Sequence, residues 1–188
     1  MLITLLISTL ASVYSIYLLD QYIYQQKQNS IRKVAGSYVN HIRNNLNQAL
    51  SAAYPFAALI RTQNGQTNGF EELASEMLGL YPGLAALQLH TNGVLTHVVP
   101  LKGNEKTLGN NVLENPLRTQ EAFLAKKTGK LTLAGPFELF QGGMGAAARL
   151  PVYLDTSQGK EFWGFATALI RFPDIIQSVN LAQLPQAG

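Results

Sequence analysis

The chain has 188 residues, of which 47% are apolar, with a formal net charge of +3 and no cysteine. That length allows one domain and an extension. Basic and acidic side chains are interspersed after residue 60, which excludes the one-sided Lys/Arg face of a nucleic-acid binder, and the lack of cysteine excludes disulfides, thiolate nucleophiles and thiolate metal sites together.

Residues 1–19 carry no charged side chain. As a helix rising ~1.5 Å per residue, the run spans ~28 Å, close to the ~30 Å hydrocarbon core of a bilayer. Tyr14, Tyr17, Tyr22 and Tyr24 fall where an interfacial aromatic belt sits. A cleaved signal peptide is the competing reading. No Lys or Arg precedes the run, however, and its small residues, around Ser8 to Ser12, lie inside it. The expectation is an uncleaved membrane anchor over residues 1–24, although Lys27, Arg32 and Lys33 would by themselves favour a cytoplasmic location for the stretch that contains them.

Residues 25–64 read as a long stalk helix. Ile31, Tyr38, Ile42, Ala49, Phe56 and Ile60 belong to an apolar stripe at spacings of three and four. Such a stripe needs a cover, either the following domain or a second copy of the same helix. Ile42, Ala49 and Phe56 repeat every seven, as a short coiled-coil seam would, so a homodimer through this helix is expected. Pro55 should kink or break the helix, and Asn64-Gly65 should end it.

A second domain-forming stretch occupies residues 65–172. Residues 70–80 suggest an amphipathic helix with Phe70, Leu73, Met77 and Leu80 inward. Residues 84–90 and 94–99 suggest strands joined by a turn at Asn92-Gly93, whose residues accept positive φ. A two-residue turn there pairs Leu89 with Thr96 and Leu87 with Val98, leaving Gln88, His90, Leu95 and His97 on the other face. Residues 100–112 read as a loop. Asn115-Pro116 should open a helix running to Lys127, with Leu117, Ala122, Phe123 and Leu124 as its apolar stripe. A short strand at 131–133 should break at Ala134-Gly135-Pro136. Strands at 146–154 and 162–171 come next, then a helix from Pro173 through Leu184 within a closing segment, 173–188. The fold class is α+β: a membrane-spanning and stalk helix feeding a five-stranded, mostly antiparallel sheet with helices to one side.

Few constellations could carry chemistry. His90 and His97 could share one face of the hairpin and hold a metal, or be two half-exposed polar residues. No third ligand sits at matching spacing, and no metal or cofactor is expected. The Gln141-Gly142-Gly143-Met144-Gly145 run lacks the Lys-Ser/Thr of a phosphate loop. It reads as a tight connection between strands or as backbone approaching a ligand closely. Arg149 stands in an otherwise small and apolar strand, on one face with Ala147, Pro151 and Tyr153. A guanidinium there needs a partner: a ligand carboxylate or phosphate, or an internal ion pair with Glu105, Glu138 or Glu161. Trp163, Phe165 and Thr167 should share a face of the last strand as core or as pocket wall. No set of nucleophile, base and orienting group is present, so the chain does not read as an enzyme.

The phrases LQLHTNGVLTHVVPLKGNE, VLENPLR, LTLAGPFELFQGG, RLPVYL and FWGF, all between residues 84 and 171, resemble the CHASE domain. That family comprises extracytoplasmic sensory modules of bacterial membrane receptors and plant cytokinin receptors. The resemblance implies a PAS-like fold and a periplasmic or external location on the bacterial inner membrane. It also implies a small-molecule ligand and a second span. The cytoplasmic effector to follow would be a histidine kinase, a diguanylate cyclase or phosphodiesterase, or an adenylyl cyclase. Carried over by position, it points to Leu133, Ala134 and Phe137 and to the strand around Arg149. Asn104, Glu105 and Gln141 would add polar contacts, and Trp163 and Phe165 walls. Ala134-Gly135 stands where plant members have Thr-Ser, so cytokinin fits poorly and an anion suits Arg149 better. Two other readings remain open: a dimerisation or protein-contact module that binds no small molecule, and a pilin-like structural subunit, although pilins carry a Glu where this chain has Leu5.

Overall fold

A computed structural model describes residues 2–114, 119–140 and 142–178. Their contacts divide the chain into two units, one described over residues 2–41 and one over 42–178.

The first unit is the leading part of helix α1 (Leu2–Ser51). Its apolar side chains, among them Ile7, Leu10, Ile16 and Ile31, are exposed. Gln21, Gln26 and Gln28 each donate to the hydroxyl of the tyrosine four residues earlier, at 2.7–3.1 Å. Among the described residues no helix is long and apolar enough to cross a membrane; the uncharged N-terminal run begins at Met1, which lies outside them.

The second unit contains the end of α1, α2 (Ala53–Thr62), α3 (Phe70–Leu80) and a five-stranded sheet. Helix α1 stops at Ser51, four residues before Pro55. The proline ring would clash with the Ser51 carbonyl and cannot donate to it, so a new helix starts with Pro55 in its first turn, where a missing N–H costs nothing. The break falls one turn ahead of Pro55. Asn64 and Gly65 take positive φ, and Gly65 N bonds Ile60 O at 2.8 Å, the stop the sequence suggested.

The strands are β1 (Leu84–Thr91), β2 (Val94–Val99), β3 (Thr132–Glu138), β4 (Met144–Thr156) and β5 (Gly159–Arg171). They lie in the order β2-β1-β5-β4-β3, every neighbouring pair antiparallel. Helices α2 and α3 cover one face. Ala53, Phe56, Ala57 and Ile60 pack with Phe70, Ala74 and Met77 onto Leu87, Leu89, Leu150, Val152 and Ala166, with Phe56 and Phe70 edge to face at 5.1 Å. Helix α4 (Thr119–Thr128) lies on the other face, where Ala122 and Ala125 meet Phe165. The helices therefore do not all lie to one side. The Tyr153 hydroxyl donates to Lys126 O, and the Lys126 ammonium sits 4.4 Å from the Phe162 ring, so the end of α4 is held to the sheet twice.

Several local expectations are corrected. In α3, Ala74 replaces Leu73 on the buried face and Leu80 is 72% exposed, because Phe70, Ala74 and Met77 alone follow the 3.6-residue period onto the sheet. In α4 the inward residues are Ala122 and Ala125, while Phe123 and Leu124 are half exposed; Asn115, Pro116 and Leu117 lie outside the described residues. The β1–β2 turn has both residues at positive φ and pairs Thr91 with Val94 and His90 with Leu95. A bulge then shifts the register, so that Leu89 faces His97 and Leu87 faces Val99. Strand β3 does not end at Ala134-Gly135-Pro136. It is an edge strand, where proline's missing donor need not break a ladder, and a bulge between Ala134 and Phe137 absorbs the irregularity. A third bulge, in the β4–β5 ladder between Val152 and Tyr153, turns Trp163 to the helix-covered face, away from Phe165 and Thr167.

Helix α5 (Phe172–Ser178) follows β5 directly, and the rest of the expected closing helix lies outside the described residues. Arg171 Nε donates to Asp174 Oδ2 at 2.7 Å. Ile175 is buried with Ala49 and Ile170, flanked by Ile42, Leu46 and Leu50. The end of α1 and the start of α5 thus meet over the last residues of β5.

Candidate functional site

The face of the sheet opposite α2 and α3 carries a cleft with a cavity volume of about 30 Å³. Strand alternation builds its floor. Arg149 on β4 pairs with Thr167 on β5, which pairs with Gln88 on β1, so the three form one row across the sheet. The next row places His90 beside Phe165, and the row on the other side brings Ala147 to Leu169. Arg149 and His90 are each only 2% exposed. His90 Nδ1 and Thr167 Oγ1 lie 3.3 Å apart.

The loop after β2 makes one wall. It runs along the outer edge of β2: Leu95 N bonds Asn110 O, Gly109 N bonds Leu95 O and Val94 bridges to Asn111. Asn104 Nδ2 donates to Pro100 O at 2.8 Å, and the Thr107 hydroxyl donates to Asn104 O at 2.6 Å. These bonds turn Asn104, Thr107 and Asn110 toward the cleft. The end of β3 makes the opposite wall with Phe137, Leu139 and Phe140.

The structure brings together three of the nine residues singled out in sequence: Asn104, Phe137 and Arg149 all line the cleft. Glu105 is exposed and accepts from Gly103 N at 2.9 Å. Leu133 is half exposed on β3, and Ala134 is buried beside it. Trp163 packs on the helix-covered face and donates to Gly65 O at 3.0 Å. Phe165 is buried under α4. Gln141 lies outside the described residues. Glu105, Glu138 and Glu161, weighed as partners for Arg149, are all exposed.

His90 and His97 do not share a face. The β1–β2 bulge sends His97 toward α3, with Nε2 3.2 Å from the Thr67 hydroxyl and its ring 5.9 Å from Phe70. His90 is neither half exposed nor on a solvent face. Sequence reading missed Gln88, His90, Thr107 and Asn110 as lining residues. For Gln88 a signal existed: it is a polar residue flanked by apolar ones on both sides within β1.

A five-stranded antiparallel sheet in the order β2-β1-β5-β4-β3, with helices on both faces, defines a PAS-like α+β domain. The CHASE domain family matches residues 42–187, and the chain belongs to that family. No curated protein matches it. Among solved structures it is similar to the sensor domain of the V. cholerae histidine kinase DctB (15% identity, TM-score 0.58, covering 84% of this chain and 60% of that one). It is also similar to the ligand-binding domain of the Pseudomonas aeruginosa chemoreceptor PctC in complex with GABA (14%, 0.55, 74% and 63%). A third similar structure is an extracellular ligand-binding receptor from Desulfohalobium retbaense (16%, 0.55, 75% and 24%). At these identities the likeness is one of fold, and the chain spans less than two thirds of each of the three.

Proposed function

We propose that the chain is the extracellular sensing part of a membrane receptor and that its cleft binds a small molecule whose acidic group is taken by Arg149. The observation that carries this reading is the cleft itself: a guanidinium and an imidazole, both almost fully buried, line it on the face of the sheet opposite α2 and α3. The fold neighbours include receptor domains solved with GABA and with L-Gln, which supports a ligand of metabolite size. The apolar run at the N-terminus serves as the membrane anchor, α1 as the stalk, and a cytoplasmic effector follows the closing helix.

Occupancy is communicated through β5. Leu169 lines the cleft and the next residue, Ile170, packs with Ala49 of α1 and Ile175 of α5. A ligand shifts this equilibrium only by its difference in affinity for the two arrangements of these helices. A thermal-shift screen of the full chain against a metabolite library tests the reading. A ligand at 100 times its dissociation constant adds about 2.7 kcal/mol, or roughly 5–11 °C for a chain of this size. Silence across a library that stabilises a control sensor favours the dimerisation or protein-contact reading instead.

A further inference from the structure

Resting on this reading of the cleft, we propose that its ligand is a small carboxylic acid that carries no amine, with the carboxylate held by Arg149. The chain has eleven Asp and Glu residues. All of them are among the described residues, and none lines the cleft. Glu105 and Glu138, next in sequence to the lining residues Asn104 and Phe137, are both exposed.

This composition is one-sided. An ammonium group brought into the cleft would leave water, find no opposite charge on the walls and share a small space with the Arg149 guanidinium. Burying a charge under those conditions is strongly unfavourable. A carboxylate meets the reverse situation, because the planar guanidinium offers it paired donors. GABA and L-Gln, bound by the two chemoreceptor domains of similar fold, each carry an ammonium as well as a carboxylate. This cleft is built for only one of those two groups.

The remaining walls suit a short neutral chain. Gln88 and Asn110 supply amides for a neutral oxygen, while the Thr107 hydroxyl, which donates to Asn104 O, can only accept from a ligand hydroxyl. Leu95, Val112, Leu139 and Leu169 supply apolar surface. The cavity of about 30 Å³ has room for about two water molecules, so even a short oxo or hydroxy acid enters only if walls such as Phe137 and Phe140 move apart.

The test is calorimetric titration of the full chain with straight-chain acids of two to six carbons, their 2-oxo and 2-hydroxy forms, the matching 2-amino acids and the matching amides. At least one acid is expected to bind about tenfold or more tightly than its amino-acid and amide counterparts, and Arg149→Gln should abolish that binding. If Arg149→Gln does not fold, Arg149→Lys serves instead: it keeps the charge, loses the planar fork and should weaken the acid about tenfold. An amino acid binding as tightly as its parent acid would overturn the proposed class and leave the cleft as a sensing site. An acid that binds equally well to the Arg149 variants would overturn the placement of the carboxylate. Silence across the whole series would overturn the class, while the metabolite screen decides the sensing function separately.

Discussion

Arg149 was conspicuous in the sequence because a guanidinium in an alanine- and leucine-rich strand must be compensated somewhere, and alternation placed it on the correct face. His90 was not conspicuous. A histidine on a hairpin strand looks like a solvent-facing residue until the loop after β2 is seen folding back along that edge and burying it. Tyr153 matters for a different reason. Its hydroxyl donates to Lys126 O and holds the end of α4 to the sheet. Tyr153→Phe should destabilise the domain by about 0.5–1.5 kcal/mol, read from the midpoint of urea unfolding at unchanged slope. Burial raises the Tyr153 phenol above its usual value of about 10. Its neutral form is therefore the one folding favours, and the stability it contributes is complete below that usual value and is lost as pH climbs through the raised folded value. Alkaline unfolding of the wild type should show this loss, and Tyr153→Phe should lack it.

At the scale of elements, the pattern gave the limits of α3 and β2 as observed, and Asn92-Gly93 gave the hairpin turn. The bulges were not legible. Nothing local marks the extra residue at Thr96 or at Trp163, since a bulge is set by how two strands must twist past each other. Each bulge nonetheless moved a side chain to the opposite face, His97 in one case and Trp163 in the other. Strand β3 misled for a related reason, because Gly135-Pro136 signals a break only where the strand has neighbours on both sides. The inward faces of α3 and α4 are set by alanines rather than by their largest apolar residues, because alanine lets a helix lie close to the sheet. The joint between α1, β5 and α5 is where the proposed signalling would pass. Ile175→Ala removes buried methyl groups from that cluster and should cost about 2–5 kcal/mol of stability in denaturant unfolding. A cost near zero would mean that α5 is not packed there in solution.

For the whole molecule, the order of helices and strands was readable, and so was the family. Together they named only Asn104, Phe137 and Arg149 among the residues that line the cleft, because the rest depend on register and on a loop whose course is fixed by backbone bonds rather than by a motif. The leading part of α1 leaves a long row of exposed apolar side chains, which fits a stalk that pairs with a second copy and enters a membrane. Sedimentation of the full chain in mild detergent should give a dimer of fixed size; a monomer at all concentrations would contradict pairing through α1. The cleft is the proposed sensing site, and β5 would carry its state to the flanking helices. Hydrogen exchange of the full chain, with and without the best ligand from the metabolite screen, tests this most directly. The account predicts added protection at residues 88–90, 147–149 and 100–112, together with a change at 170–175. Protection confined to other surfaces, with these segments unaltered, would contradict it.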